Sequence, residues 1–171
     1  MPSRAAGFDL QSQFVVPTAR AGTWSYGLSG SRMTKYDVRF TPSGPTFDER
    51  NVIGFPPALR LRGDLGWTGG AWDSWLFLNF VNAYTNTETT PAQRVRSYTT
   101  LDLNVTYHFG PAFQASWLQQ MRLSLNVINV ANTDPPYVRI PIGPNGGGGI
   151  DPNAASPLGR LVSVQLQKSF D

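Results

Sequence analysis

No cysteine occurs in the 171-residue sequence, which excludes a disulfide framework, thiolate metal sites and a cysteine nucleophile. That absence is compatible with an exported protein. Charge is scarce too: Asp, Glu, Lys and Arg make up 15%, against roughly 25% in ordinary soluble domains. A soluble shell needs more charge, whereas a barrel wall with apolar residues outside and small polar ones inside does not. Long hydrophobic runs are also missing. No stretch approaches the roughly 18 apolar residues of a membrane helix, so any membrane crossing has to be built from strands. The single histidine, His108, would have to serve any imidazole-based catalysis or metal site, and no second metal-type ligand lies at short spacing from it. The net charge of +3 is carried by arginines such as Arg20, Arg39, Arg60, Arg96, Arg122 and Arg160, scattered rather than gathered as a nucleic-acid footprint requires.

What is present is alternation. In the last stretch Val162, Val164, Leu166, Lys168 and Phe170 oppose Ser163, Gln165, Gln167 and Ser169, giving one apolar and one uncharged polar face. Residues 99–109 repeat this, with Leu101, Leu103, Val105, Tyr107 and Phe109 against Thr100, Asp102, Asn104, Thr106 and His108. Residues 121–127, 59–67, 8–16 and 24–28 follow the same rule. Residues 72–84 are read as one further strand, although Trp75, Phe77 and Val81 make its inner side partly apolar. Seven antiparallel strands result.

Their connections alternate in length. Residues 17–21, 68–70 and 110–118 make short or moderate turns, whereas 37–56, 86–96 and 132–157 make long loops rich in Pro, Gly, Asn and Thr. Such sorting is the layout of an outer-membrane barrel, with turns on the periplasmic rim and loops outside. In that arrangement Trp24, Trp67, Trp72, Phe109 and Phe170 form a girdle at the short-turn rim. Tyr36 and Tyr84 fall near the other rim on the outward face, and Tyr98 has inward parity. Strands of about 11 residues, rising ~3.3 Å each with a tilt of ~45°, cover roughly 25 Å, the height of the apolar band.

Certain runs carry a family likeness. Ser97-Tyr-Thr-Thr-Leu-Asp-Leu-Asn-Val-Thr-Tyr-His-Phe-Gly resembles the third-from-last strand of TonB-dependent receptors, and Leu123-Ser-Leu-Asn-Val-Ile-Asn-Val the next. Asp134-Pro-Pro-Tyr and Leu158-Gly-Arg-Leu-Val-Ser-Val-Gln-Leu-Gln-Lys-Ser-Phe resemble the family's ending, and Gly66-Trp-Thr-Gly-Gly its upstream turn. The family's final aromatic is here followed by Asp171. The resemblance implies an all-β fold, an antiparallel up-and-down transmembrane β-barrel segment of about seven strands, located in the bacterial outer membrane. Residues 1–171 are then the C-terminal portion of a barrel of about 22 strands, with the plug domain and N-terminal strands absent. The chain has no apolar h-region at its N-terminus, so it is expected to be a fragment or a reading frame missing its beginning.

The resemblance implies a receptor and transporter rather than an enzyme. The complete protein would import a scarce ligand, such as an iron chelate, cobalamin or a saccharide, powered by TonB. The expected partners are outer-membrane lipid, the remaining strands and plug, the barrel-assembly machinery, and TonB only through the missing N-terminal part. No cofactor, metal site, catalytic residue or nucleic-acid partner is expected. By itself the chain is expected to bind no TonB and transport nothing. Phe47, Tyr137 and Arg139 in the long loops are the candidate ligand contacts.

Asp64 and Asp102 share polar parity with Arg60, Arg62 and Arg122, which predicts opposite-charge pairs across neighbouring strands. The run 146–149 lacks the Gly-Lys-Ser/Thr of a phosphate loop and is read as a flexible tip. Two other architectures alternate in the same way. A small porin-like or structural barrel would leave seven strands with unpaired edges in lipid, and a soluble β-sandwich binding module should carry charge on its outer face.

Overall fold

The computed structural model describes residues 3–110, 118–140 and 148–170. Its strands are β1 (Ser3–Thr18), β2 (Gly22–Val38), β3 (Phe47–Asp48), β4 (Leu59–Gly69), β5 (Trp72–Val81), β6 (Tyr84–Asn86), β7 (Gln93–Val95), β8 (Tyr98–His108), β9 (Met121–Ile128) and β10 (Leu161–Lys168). Seven of them form one antiparallel sheet in the order β1-β2-β4-β5-β8-β9-β10, so every spanning strand lies beside the next in sequence. β3 adds to β2, while β6 and β7 form a separate hairpin. The sheet does not close on itself: β1 and β10 are its two edges.

The alternation explains why these segments pair as they do. Partners opposite one another in a ladder point to the same side, so a register that keeps one face apolar is strongly favoured over its one-residue slip. One lateral row runs Phe14, Tyr26, Leu65, Leu76, Leu103, Val127, Val162 through all seven strands. A neighbouring row on the other face runs Val15, Ser25, Gly66, Trp75, Asn104, Asn126, Ser163. The apolar face lies open: Phe8 is 72% exposed, Leu10 55% and Val164 68%. Soluble monomers rarely leave a contiguous apolar surface of this extent uncovered.

The aromatic side chains on the polar face have local partners. Trp75 covers Gly66, where a Cβ would lie only 2.7 Å from the indole ring. Phe77 stacks near-parallel on Trp75 and receives the Arg62 guanidinium 4.4 Å above its ring.

The connections sort by length as expected from the sequence. Residues 19–21 and 70–71 are tight turns, whereas 39–58, 82–97 and 129–160 are long. The expected turn at 110–118 falls almost wholly outside the described residues, as do residues 146–147 of the glycine run and Asp171. Gly149 is described and forms an isolated bridge with Val138 at φ +85°.

Two expectations need correction. The strand expected over 72–84 stops at Val81, and the chain leaves the sheet at Asn82 and Ala83 before Tyr84 opens the β6–β7 hairpin. The expected charge ladders are replaced by an amide relay. Arg62 lies on β4 and Asp102 on β8, with β5 between them, so their backbones are about 10 Å apart and cannot pair across one ladder. Asn79 of β5 bridges them, accepting from Arg62 Nη1 at 2.7 Å and donating to Asp102 Oδ2 at 2.8 Å. Arg122 donates to Gln167 and Arg60 to the Asn153 carbonyl. Asp64 instead rests over Gly27, the residue opposite it, whose missing side chain leaves room for the carboxylate.

Candidate functional site

The long connections are not independent loops. Asn51, at φ 64°, donates from its side-chain amide to the Ala83 carbonyl and accepts from Ala58 N, while Val52 bridges Thr85 in parallel. Residues 39–58 are thereby joined to 82–97. Gln93 of β7 then acts as a surrogate strand for 129–160: its Nε2 donates to Tyr137 O and its Oε1 accepts from Arg139 N. Buried Asn86 donates to the Arg139 carbonyl.

Between these contacts sits a small apolar core of Tyr84, Val95 and Val138, with Ile53, Ile140 and Ala154 against it. All three long connections contribute to it. Val95 and Val138 are each 1% exposed, more completely buried than any apolar residue on the sheet. Burial pushes the Tyr84 hydroxyl above its ordinary range, helped by the Asp151 carboxylate, which accepts its hydrogen bond. Asp151 also accepts from the Asn153 backbone, tightening the turn that carries Ala154 into the core.

This cap leans over the polar face of the sheet. The Arg60 guanidinium holds the Asn153 carbonyl, and residues 152–157 roof a concavity of about 430 Å³. Its floor is Arg60, Asn79, Val81, Tyr98 and Thr100. The relay continues from that floor into the cap: Asp102 Oδ1 accepts from Asn129 N, and the Asn129 side chain holds both backbone polar groups of Thr133. Asn132 then accepts from Arg160 N, tying the start of the longest connection to its end. The site therefore offers a guanidinium, amides and hydroxyls around a solvent-open hollow. His108, the lone imidazole, sits far from it at the short-turn rim, 2.6 Å from Asp73.

The expected contact residues divide. Tyr137 and Arg139 flank buried Val138 on the cap, both exposed, and Gln93 fixes their backbones. Phe47 is on β3, beside Phe40 at 6.0 Å, and the structure does not bring it to the other two. Arg60, Asn79, Tyr98 and Thr100 were not singled out as contacts from the sequence. Their shared polar parity was visible, but the roof that makes them a hollow comes from residues more than 50 positions away.

At the opposite rim, Trp24 and Trp67 lie 6.4 Å apart beside the 19–21 turn, where Trp67 Nε1 donates to Ala21 O. Trp72 packs on Tyr107 at 4.7 Å, and Tyr107 meets Phe109 edge-on. Phe170 is almost fully exposed under Lys168. Tyr107 thus belongs to this aromatic group as well.

The two aromatics expected on the outward face near the long-loop rim are elsewhere. Tyr84 is 4% exposed inside the cap core. Tyr36 is moved by a bulge: Ala6 pairs with Lys35 but Gly7 with Met33, so Thr34 is an extra residue and Tyr36 comes to face the side of Ala5 and Gly7, against Phe55.

Residues 2–130, more than half of the chain, match the family described as TonB dependent receptor-like, beta-barrel. No curated protein and no solved structure matches the chain.

Proposed function

Because the chain belongs to the TonB-dependent receptor-like β-barrel family, a family of outer-membrane receptors and transporters, we propose that its seven spanning strands are the C-terminal wall of a larger receptor barrel. The apolar face is turned to lipid and the polar face to the lumen. β1 and β10 pair on their outer sides with further strands, since an unpaired edge in hydrocarbon leaves every second amide unsatisfied. The aromatics Trp24, Trp67, Trp72, Phe109 and Phe170 sit at the periplasmic interface, where amphipathic rings are favoured. The barrel-assembly machinery inserts the wall, and TonB acts through a plug that the lumen receives.

The cap is the ligand-capturing part. The observation that carries this is the fusion of all three long connections into one packed unit that roofs the polar hollow over Arg60, Asn79 and Thr100. A pre-built mouth binds with less ordering cost than three separate loops would. The ligand is a scarce oxygen-rich solute of the class that includes iron chelates, cobalamin and saccharides. Exposed Tyr137 and Arg139 make the first contact, and Phe47 with Phe40 offers a second aromatic surface.

The test is uptake of a labelled panel of these solutes by cells producing the receptor that contains this chain. Tyr137→Ala with Arg139→Gln should reduce uptake of one member at least tenfold while the amount of barrel in the membrane stays constant. Unchanged uptake of every member would remove the cap from the proposal.

A further inference from the structure

The relay that starts at Arg62 does not end at the sheet. Asp102 has its two carboxylate oxygens on different partners: Oδ2 accepts from Asn79 Nδ2 on β5, and Oδ1 accepts from Asn129 N, the first residue beyond β9. Asn129 is 2% exposed at φ 54°, a conformation that asparagine tolerates better than most residues. Its side chain closes on both backbone polar groups of Thr133, and its carbonyl accepts from Asn132 N, so residues 129–133 form one tight elbow. Tyr98, on the floor of the hollow, donates to the Thr133 carbonyl of that elbow at 3.5 Å. Asn132 accepts from Arg160 N, which fixes the elbow to the segment entering β10. The connection that leaves the elbow carries Val138 into the cap core and residues 152–157 over the hollow.

We propose that Asp102 is the positioning residue of the cap, and that through Asn79 it makes the setting of Arg62 in the lumen and the seating of the roof over the hollow one coupled event. The inference rests on the capture reading above, which makes the polar face the lumen and the roofed hollow the place of the ligand. Donors and acceptors along the relay run in one direction. Arg62 can only donate, so the Asn79 oxygen faces it, and the Asn79 amide nitrogen is thereby turned to Asp102. The Asp102 carboxylate takes the elbow N–H with its other oxygen. Turning the Asn79 amide over would set donor against donor and acceptor against acceptor. Drawing Arg62 away from Asn79 therefore frees the amide, deprives Asp102 of a fixed partner and loosens the elbow. Arg62 is exposed on the polar face, where a molecule in the lumen meets it. Coupling is reciprocal, so a solute that seats the roof tightens the hold on Arg62 by the same factor.

The experiment exchanges the two middle members of the relay. Asn79→Asp alone sets two carboxylates face to face, and Asp102→Asn alone leaves one amide oxygen for two donors, Asn79 Nδ2 and Asn129 N. Together they restore every donor–acceptor pair from Arg62 to Asn129 N, with the Thr100 hydroxyl, an acceptor from Asn79 in the parent, turning to donate. Hydrogen exchange of the detergent-solubilised chain is followed by mass spectrometry over residues 129–133 and, for comparison, over 24–30 of β2. Each single variant should speed exchange over 129–133 about tenfold, and the double variant should return it to within about twofold of the parent. Residues 24–30 should not change. Arg62→Met should speed exchange of the elbow about threefold while Arg62→Lys does not, and this pair decides the matter if the relay variants do not fold. Equal acceleration over both segments would reduce Asp102 to a general stabiliser of the sheet and overturn the proposal. A double variant no slower than its singles, or an elbow indifferent to Arg62→Met, would overturn it as well. No solute enters the measurement, so its failure removes the coupling and leaves the capture reading to the uptake test.

Discussion

Val95→Ala is expected to release all three long connections together. Val95 is 1% exposed at the centre of the cap core, against Tyr84 and Val138. Removing two buried methyl groups forfeits about 1.6 kcal/mol of transfer free energy, and the cavity left behind raises the cost to roughly 2–3 kcal/mol. The cap core is small, so little else resists local opening, and the open population should rise roughly 30- to 150-fold. Trypsin reads this directly. Each connection holds two arginines (Arg39 and Arg50, Arg94 and Arg96, Arg139 and Arg160), of which Arg50, Arg94 and Arg139 are sequence neighbours of the cap residues Asn51, Val95 and Val138, while the spanning strands are shielded by detergent or bilayer. The three sites should become sensitive in parallel at a protease concentration that leaves the unsubstituted chain intact. Cleavage confined to Arg94, with Arg50 and Arg139 still protected, would show that the connections open separately and that the cap is not one unit.

Three further outcomes follow from individual contacts. Asn79→Leu breaks the link between Arg62 and Asp102 and, discounted for the exposure of Arg62, should cost about 2 kcal/mol in urea unfolding of the detergent-solubilised chain. A midpoint within error of the parent would show that the relay contributes nothing. Gly66→Ala puts a Cβ 2.7 Å from the Trp75 ring and should destabilise by about 1–3 kcal/mol, seen as a lower thermal midpoint. An unchanged midpoint would mean that Trp75 swings aside at no cost. The Tyr84 hydroxyl is raised by burial and then by Asp151, so its stabilising effect is complete below its ordinary value of 10 and is lost as pH climbs through the higher folded value. Trypsin sensitivity of the cap should therefore grow above pH 10 in the parent but stay flat in Tyr84→Phe.

The spanning strands were legible in the sequence because period-2 alternation is a local signal and the register follows from it. Rows such as Leu65, Leu76, Leu103 and Val127 need nothing beyond the parity of each strand. Parity fails where one residue is inserted or the ladder ends. Thr34 shifts Tyr36 to the other face with no glycine or proline next to it in sequence, its one mark being Gly7 across the ladder, and the break at Asn82 and Ala83 sends Tyr84 out of the sheet. The cap was not legible because its core unites Ile53, Tyr84, Val95 and Val138, which come from three separate connections and share no strand parity. The relay was half legible. Arg62 and Asp102 were recognised as polar-face charges, but only the strand order shows that Asn79 must stand between them.

The most direct test of the membrane reading is a single-cysteine spin-label scan along β8 in liposomes, feasible because the chain has no cysteine of its own. β8 has neighbours on both sides, β5 and β9, so the result does not depend on how the sheet edges are completed. Labels at Leu101, Leu103, Val105 and Tyr107 should be relaxed by oxygen dissolved in the bilayer. Labels at Thr100, Asp102, Asn104 and Thr106 should respond to a water-soluble nickel complex, with a period of two. The opposite phase, or nickel accessibility at all eight positions, would contradict the assignment of the apolar face to lipid.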